Sequence, residues 1–167
     1  MTEAVLDAGP LIHLAELDAL DVLCDFSSLI VPEAVWLEVE HHFPEALFTE
    51  QVNLQRVKAP RPFPTLAALA LSLALDRGEL EALSLMDLYP HAILLTDDSA
   101  ARLAAEQRGL EAHGTIGLLI RSVRKDRRTG EDIISLLRDI PNRSSLYVRS
   151  SLLKEIICEL EVEWNAK

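Results

Sequence analysis

Apolar residues in this chain fall into two patterns: short runs that close on an acid or a proline, and longer stretches where they recur every three or four positions. AVLD, closing on Asp7, and AILLTDD, closing on Asp97 and Asp98, belong to the first pattern. Each is followed by a segment with helical period, GPLIHLAELDAL and SAARLAAEQRG. That order reads as strand then helix. The first strand is predicted over Val5–Asp7, with Pro10 in the first turn of the helix behind it. SLIV at 28–31 is the second strand, and Pro32 opens a helix whose Val35, Val39 and Phe43 share a face. Segment 52–64 alternates briefly and breaks at its prolines, as a strand or extended stretch followed by a loop. A Leu/Ala helix over 65–76 is expected to stop at Gly78, and GELEALSLMDL restarts as the second arm of a helical hairpin. After the strand AILLT comes a helix with Ser99 as a possible N-cap and Gly109 as its stop. A short strand around 110–113 and GTIGLLIRSVRK close the alternating part. The tail from about 131 to 161 carries apolar helical patches separated by Pro141 and by NRSS.

Alternating strands and helices predict an α/β fold with a central parallel sheet of four or five strands between helical layers. The expected division is a domain over residues 1–130 and a helical extension, 131–167, packed on it. In such sheets the functional crevice lies beyond the carboxyl ends of the strands. Two strands that both end in aspartate therefore aim carboxylates at one edge.

Composition narrows the classes. A chain of 167 residues that is 49% hydrophobic and 26% charged is globular rather than disordered. Cys24 and Cys158 lack metal-ligand spacing and are expected to be reduced. The longest apolar run, 66–75, is half of what a bilayer span needs, and no basic leader precedes a long apolar stretch. A cytoplasmic protein is the expectation, with no membrane partner. The net charge of −11 speaks against a broad nucleic-acid-gripping face. One basic group stands out, RSVRKDRR at 121–128; Arg121, Arg124 and Lys125 there are candidates for holding a phosphodiester backbone, or else a solvated helix end.

The carboxylates carry the candidate chemistry. An acid after a buried strand, as Asp7 is, needs hydrogen bonds or a cation. Glu38 follows the second strand–helix unit. Glu79 and Glu81 fall in a first helical turn, where anions are favoured whether or not they do chemistry. Clustered carboxylates repel unless a cation compensates, and a hard divalent ion matches an all-oxygen set. Such ions serve phosphodiester hydrolysis. Other chemistries lack their motifs: there is no Gly-rich phosphate loop, no G-x-S-x-G, and Gly9 stands where an aspartyl-phosphate enzyme needs its second Asp. His13 approaches the same edge but reads first as a packing residue, and adjacent His41 and His42 as surface. Arg143 and Arg149 read as solvated, with contact to RNA or a partner as the alternative. Arg102 reads as half of a structural ion pair, or as a contact for substrate phosphate.

The order Asp7, Glu38, an acid on a mid-chain helix, then Thr96-Asp97-Asp98 resembles the PIN domain. The blocks D-A-G-P-L-I at 7–12, G-E-L-E-A at 78–82, D-D-S-A-A-R at 97–102 and G-T-I-G at 114–117 look like a PIN-like branch related to VapC-type toxins. The resemblance covers roughly residues 4–125. It implies a Mg²⁺- or Mn²⁺-dependent ribonuclease acting on RNA, the toxin of a toxin–antitoxin pair with a cognate antitoxin, and a homodimer. It further implies Asp7 and Asp98 as metal ligands, Asp97 as an assisting ligand and Glu38 as the second acid. The third acid is Glu79 or Glu81, with Glu79 preferred. Two departures count against efficient catalysis: Ala8 stands where the family usually has a hydroxyl, and the third acid is Glu rather than Asp. The rival reading is a weak or inactive PIN-like module that works through protein–protein contact.

Overall fold

The computed structural model describes residues 2–165. Five parallel strands form one sheet: β1 Thr2–Leu6, β2 Phe26–Pro32, β3 Leu54–Val57, β4 Ile93–Leu95 and β5 Ala112–His113, in the order β3-β2-β1-β4-β5. Eight α-helices accompany them among the described residues: α1 Ala8–Glu16, α2 Glu33–His42, α3 Pro64–Leu73, α4 Arg77–Leu85, α5 Ser99–Gln107, α6 Thr115–Arg124, α7 Gly130–Arg143 and α8 Ser150–Asn165. None is long and apolar enough to cross a membrane.

The two-residue period of a strand sorts its side chains between layers. Ala4 and Leu6 of β1, Leu29 and Val31 of β2, and Ile93 and Leu95 of β4 pack with α1, α2, α6, α7 and α8. Val5, Ile30 and Leu94 face the other way, onto α3, α4 and α5. Both faces of the sheet are thus covered, which is why these strands read as nearly continuous apolar runs. The chain winds outward from β1 through β2 to β3 on one side and resumes at β4 and β5 on the other. The topological switch point therefore lies between β1 and β4, whose register pairs Leu6 with Leu95.

Several boundaries differ from the sequence expectation, each for a local reason. Asp7 is not the last residue of β1 but the N-cap of α1, its side chain accepting from the Ala8 amide. Pro32 closes β2, and α2 begins one residue later. The helix expected to stop at Gly78 stops at Ala74, which adopts the left-handed conformation (φ 54°). Gly78 lies inside α4 instead. A Cβ there would come within 3.2 Å of Val35 Cγ2, so the glycine lets α4 approach α2 closely. Asp98, not Ser99, caps α5. Pro141 does not divide the tail: it sits in the last turn of α7, where the helix forgoes one amide-to-carbonyl bond and ends soon after, so two helices stand where three patches were read. The apolar faces of α7 and α8, including Ile133, Leu137, Leu153 and Leu160, belong to the same core cluster as β1.

Candidate functional site

Three aspartates at this edge of the sheet are helix N-caps. Asp7 caps α1, Asp76 caps α4 by accepting from the Glu79 amide at 2.9 Å, and Asp98 caps α5 by accepting from the Ala101 amide at 2.8 Å. Each sits at the positive end of a helix dipole, which offsets part of the repulsion between them. Glu79 completes a capping box by accepting from the Asp76 amide at 2.8 Å. Glu38 comes from the facing turn of α2, its Oε2 about 3.5 Å from where a Gly78 Cβ would lie.

Thr96 ties the switch point together. Its hydroxyl donates to Asp7 Oδ2 at 2.7 Å and accepts from the Asp98 amide at 3.2 Å. The Asp7 amide in turn donates to the Leu95 carbonyl at 2.9 Å. Asp7 and Asp98, 91 positions apart in the chain (98 − 7), are therefore registered against each other through one fully buried hydroxyl.

Electrostatics mark the same group. Burial pushes the Asp7 carboxyl up to about 6 against the hydrogen bonds from Thr96 and Ala8, and the charges of Asp76 and Glu38 push it further. Burial likewise raises Glu79 to about 7; the Asp76 amide opposes this, while Asp76, Asp98 and Asp7 add to it. Glu38 is raised by burial and by Asp76, with His42 acting against them. Five carboxylates thus gather from three helix starts and one helix flank, and Asp7, Glu38 and Glu79 sense the charge of their neighbours, the condition that a bound cation relieves.

A family model described as a PIN domain matches residues 3–162, nearly the whole chain. The chain belongs to the PIN-domain family. PIN domains are generally nucleases, so the broad activity is hydrolysis of nucleic acid, and they typically use divalent metal ions. A comparison with curated proteins gives no match. Among the described residues no three of these side chains are drawn close enough to form a closed cage. The donor set is nonetheless all oxygen, mutually repelling and gathered at the PIN switch point. That chemistry fits a hard divalent ion that keeps several of its waters.

The remaining expected residues are distributed differently. Asp97, expected to assist as a ligand, is engaged elsewhere: His13 Nδ1 lies 2.7 Å from its Oδ2, and Thr115 donates its amide at 2.7 Å and its hydroxyl at 2.6 Å. Burial works to raise this carboxyl, but the His13 and Thr115 hydrogen bonds win and hold it below the usual range. Asp97 thereby anchors α1 and α6 to the turn after β4. Glu81 turns to α2, accepting from the Ala34 amide at 2.8 Å and from Arg77 Nε at 3.0 Å, and so caps a helix that has no side-chain cap of its own. Arg102 is not in an ion pair; its Nε is buried without a hydrogen-bond partner among the described residues.

The basic group stands at the opposite edge. Helix α6 starts beside Asp97 and runs back along the sheet, and ten residues carry it roughly 15 Å away. Arg121 there pairs with Asp25 and lies over the Phe26 ring at 4.5 Å, and Arg128 pairs with Asp21. Arg124 and Lys125 end the same helix, at the amino ends of the strands and away from the carboxylates. The residue that sequence reasoning missed is Asp76. Its signal was present as an acid three positions before Glu79, the spacing of a capping box.

Proposed function

We propose that this PIN-domain protein is a divalent-metal-dependent endoribonuclease whose site is built by Asp7, Glu38, Glu79 and Asp98, with Asp76 adding charge. The observation that carries this reading is the gathering of Asp7 and Asp98 through Thr96 at the β1–β4 switch point, where burial first, and neighbouring acid charge second, raises Asp7, Glu38 and Glu79. Capping explains why these acids stand at helix starts but not why they are gathered where they repel one another, and that repulsion points to a ligand. Asp7 and Asp98 would hold a Mg²⁺ or Mn²⁺ ion, with Glu79 and Glu38 orienting water at the scissile phosphate. When bound, the ion supplies charge for the transition state and lowers the pKa of water. Thr96 holds Asp7 Oδ2 and the Ala8 amide holds Oδ1, so the direction of the carboxylate is fixed although the Ala8 side chain has no hydroxyl to add.

The finer reading is a cytoplasmic toxin of a toxin–antitoxin pair that works as a homodimer, with residues 131–167 an extension on a 1–130 nuclease unit. It is supported by the order of the four sequence blocks and, for the homodimer, by Phe63 and Leu71, large apolar side chains left exposed on and beside α3. Cleavage of RNA by purified protein with Mn²⁺, run beside Asp98→Asn, tests the activity. Equal cleavage by both proteins rejects it. A short neighbouring reading frame encoding a DNA-binding segment and a helix is expected for the toxin, and light scattering is expected to give a dimer mass.

A further inference from the structure

A groove of about 810 Å³ opens beside the carboxylates on the β5 side of the switch point. One wall is the start of α5 and of α6, with Ser99, Arg102 and Ile116. The other is the segment joining α7 to α8, with Tyr147 and Arg149, and the first turn of α8, with Leu152. That segment is extended from Ser144 onward (φ −123°, ψ 146°), and its burial alternates residue by residue over 144–149. Leu146 and Val148 turn inward against the core, while Tyr147 and Arg149 turn outward. It is also held in place. Glu16 of α1 accepts from the Ser144 hydroxyl at 2.9 Å, the Ser145 amide at 2.7 Å and the Ser145 hydroxyl at 3.0 Å.

Two features of this groove are unaccounted for by folding. Arg102 keeps a buried Nε without a partner among the described residues, and a buried donor left unpaired is costly. Tyr147 is 86% exposed on a segment that is otherwise anchored. The charge around the site is also asymmetric. On the α2–α4 side lie Glu38, Asp76 and Glu79, which repel phosphate. On the β5 side the carboxylates are engaged, Asp97 by His13 and Thr115 and Glu111 by His113, and the cations Arg102 and Arg149 enter none of the ion pairs among the described residues.

We infer that this groove is the channel for single-stranded RNA, which leaves the carboxylate cluster toward β5. Arg102 and Arg149 contact successive phosphates, and a base stacks on Tyr147. Cations that track a backbone beside an aromatic platform are the recurring physics of single-strand binding. The inference rests on the nuclease reading and adds the direction and contacts of the substrate. It also gives the C-terminal region a part in binding.

The test is fluorescence anisotropy of a short 5′-labelled oligouridylate with the full chain in EDTA, followed by cleavage after Mn²⁺ is added. Arg102→Gln, Tyr147→Ala and Arg149→Gln are each expected to weaken binding about tenfold. Each arginine variant should also reduce the slope of log affinity against log salt by about 0.7, and Tyr147→Ala should leave that slope unchanged. Tyr147 and Arg149 are exposed, so their variants keep the fold. Equal affinity and equal salt slope in wild type and all three variants overturn the channel, even if the protein cleaves. So does a wild type that binds no oligonucleotide but captures a protein on this face. A protein that binds through the groove yet stays inert with Mn²⁺ sinks the nuclease reading and leaves the channel standing.

Discussion

Thr96 shows how much of the site one side chain carries. It is fully buried, yet its hydroxyl has a partner on each side, Asp7 Oδ2 and the Asp98 amide. Thr96→Val keeps the shape and removes both bonds. Losing a group that orients a ligand commonly costs tenfold to a hundredfold in metal affinity, so a Mn²⁺ titration of this variant should weaken by about that factor. The change should also raise the Asp7 carboxyl further, since the hydroxyl, with the Ala8 amide, holds it down against burial. Asp7 itself sets a pH dependence. Folded, it gives up its proton near 6; unfolded, near the ordinary 3.8. Between those values the native state binds the extra proton, so metal-free stability falls as pH rises through that window, by on the order of 3 kcal/mol. Glu79, raised to about 7, extends the fall in the same direction. Thermal melts in EDTA across this range should show the decline in wild type and a flatter profile in Asp7→Asn. Millimolar Mg²⁺ should raise the midpoint more at pH 7.5 than at pH 5.5, because the ligands must be ionised to bind.

At the scale of elements, acids in this chain serve helix starts, and that shared role separates Glu79 from Glu81. Glu81→Gln removes a charge-assisted cap on α2 and should cost about 1 kcal/mol of stability with metal affinity kept. Glu79→Gln should do the reverse, weakening the metal-induced thermal shift far more than the apo midpoint. Placing both variants on one melt with and without Mn²⁺ checks the division. The turn before α6 is equally constrained. A Cβ on Gly114 would lie 2.7 Å from Asp97 Oδ1 and 3.1 Å from an Arg102 guanidinium nitrogen. Gly114→Ala should therefore displace the Asp97 anchor and lower the thermal midpoint by several degrees.

Across the whole molecule, what could be read from the chain follows from what burial imposes locally. β1 and β4 announced themselves because both sheet faces are covered, and their terminal acids came with them. Asp76 stayed hidden because a capping box is complete as a local motif, so nothing in the sequence shows that its charge also reaches Asp7. The basic cluster was misplaced for a topological reason: a helix that begins at the active edge returns its last turn, with Arg121, Arg124 and Lys125, to the other one. Arg102 was expected to find a carboxylate, and only three-dimensional packing reveals that it enters none of the ion pairs among the described residues, Asp97 beside it being held by His13 and Thr115.

The hydrogen bond from Thr96 to Asp7 spans 89 positions of chain. A ribosome must therefore release most of this polypeptide, and β4 must insert beside β1, before the acids can meet. The carboxylates share no common site until the late β1–β4 pairing is finished.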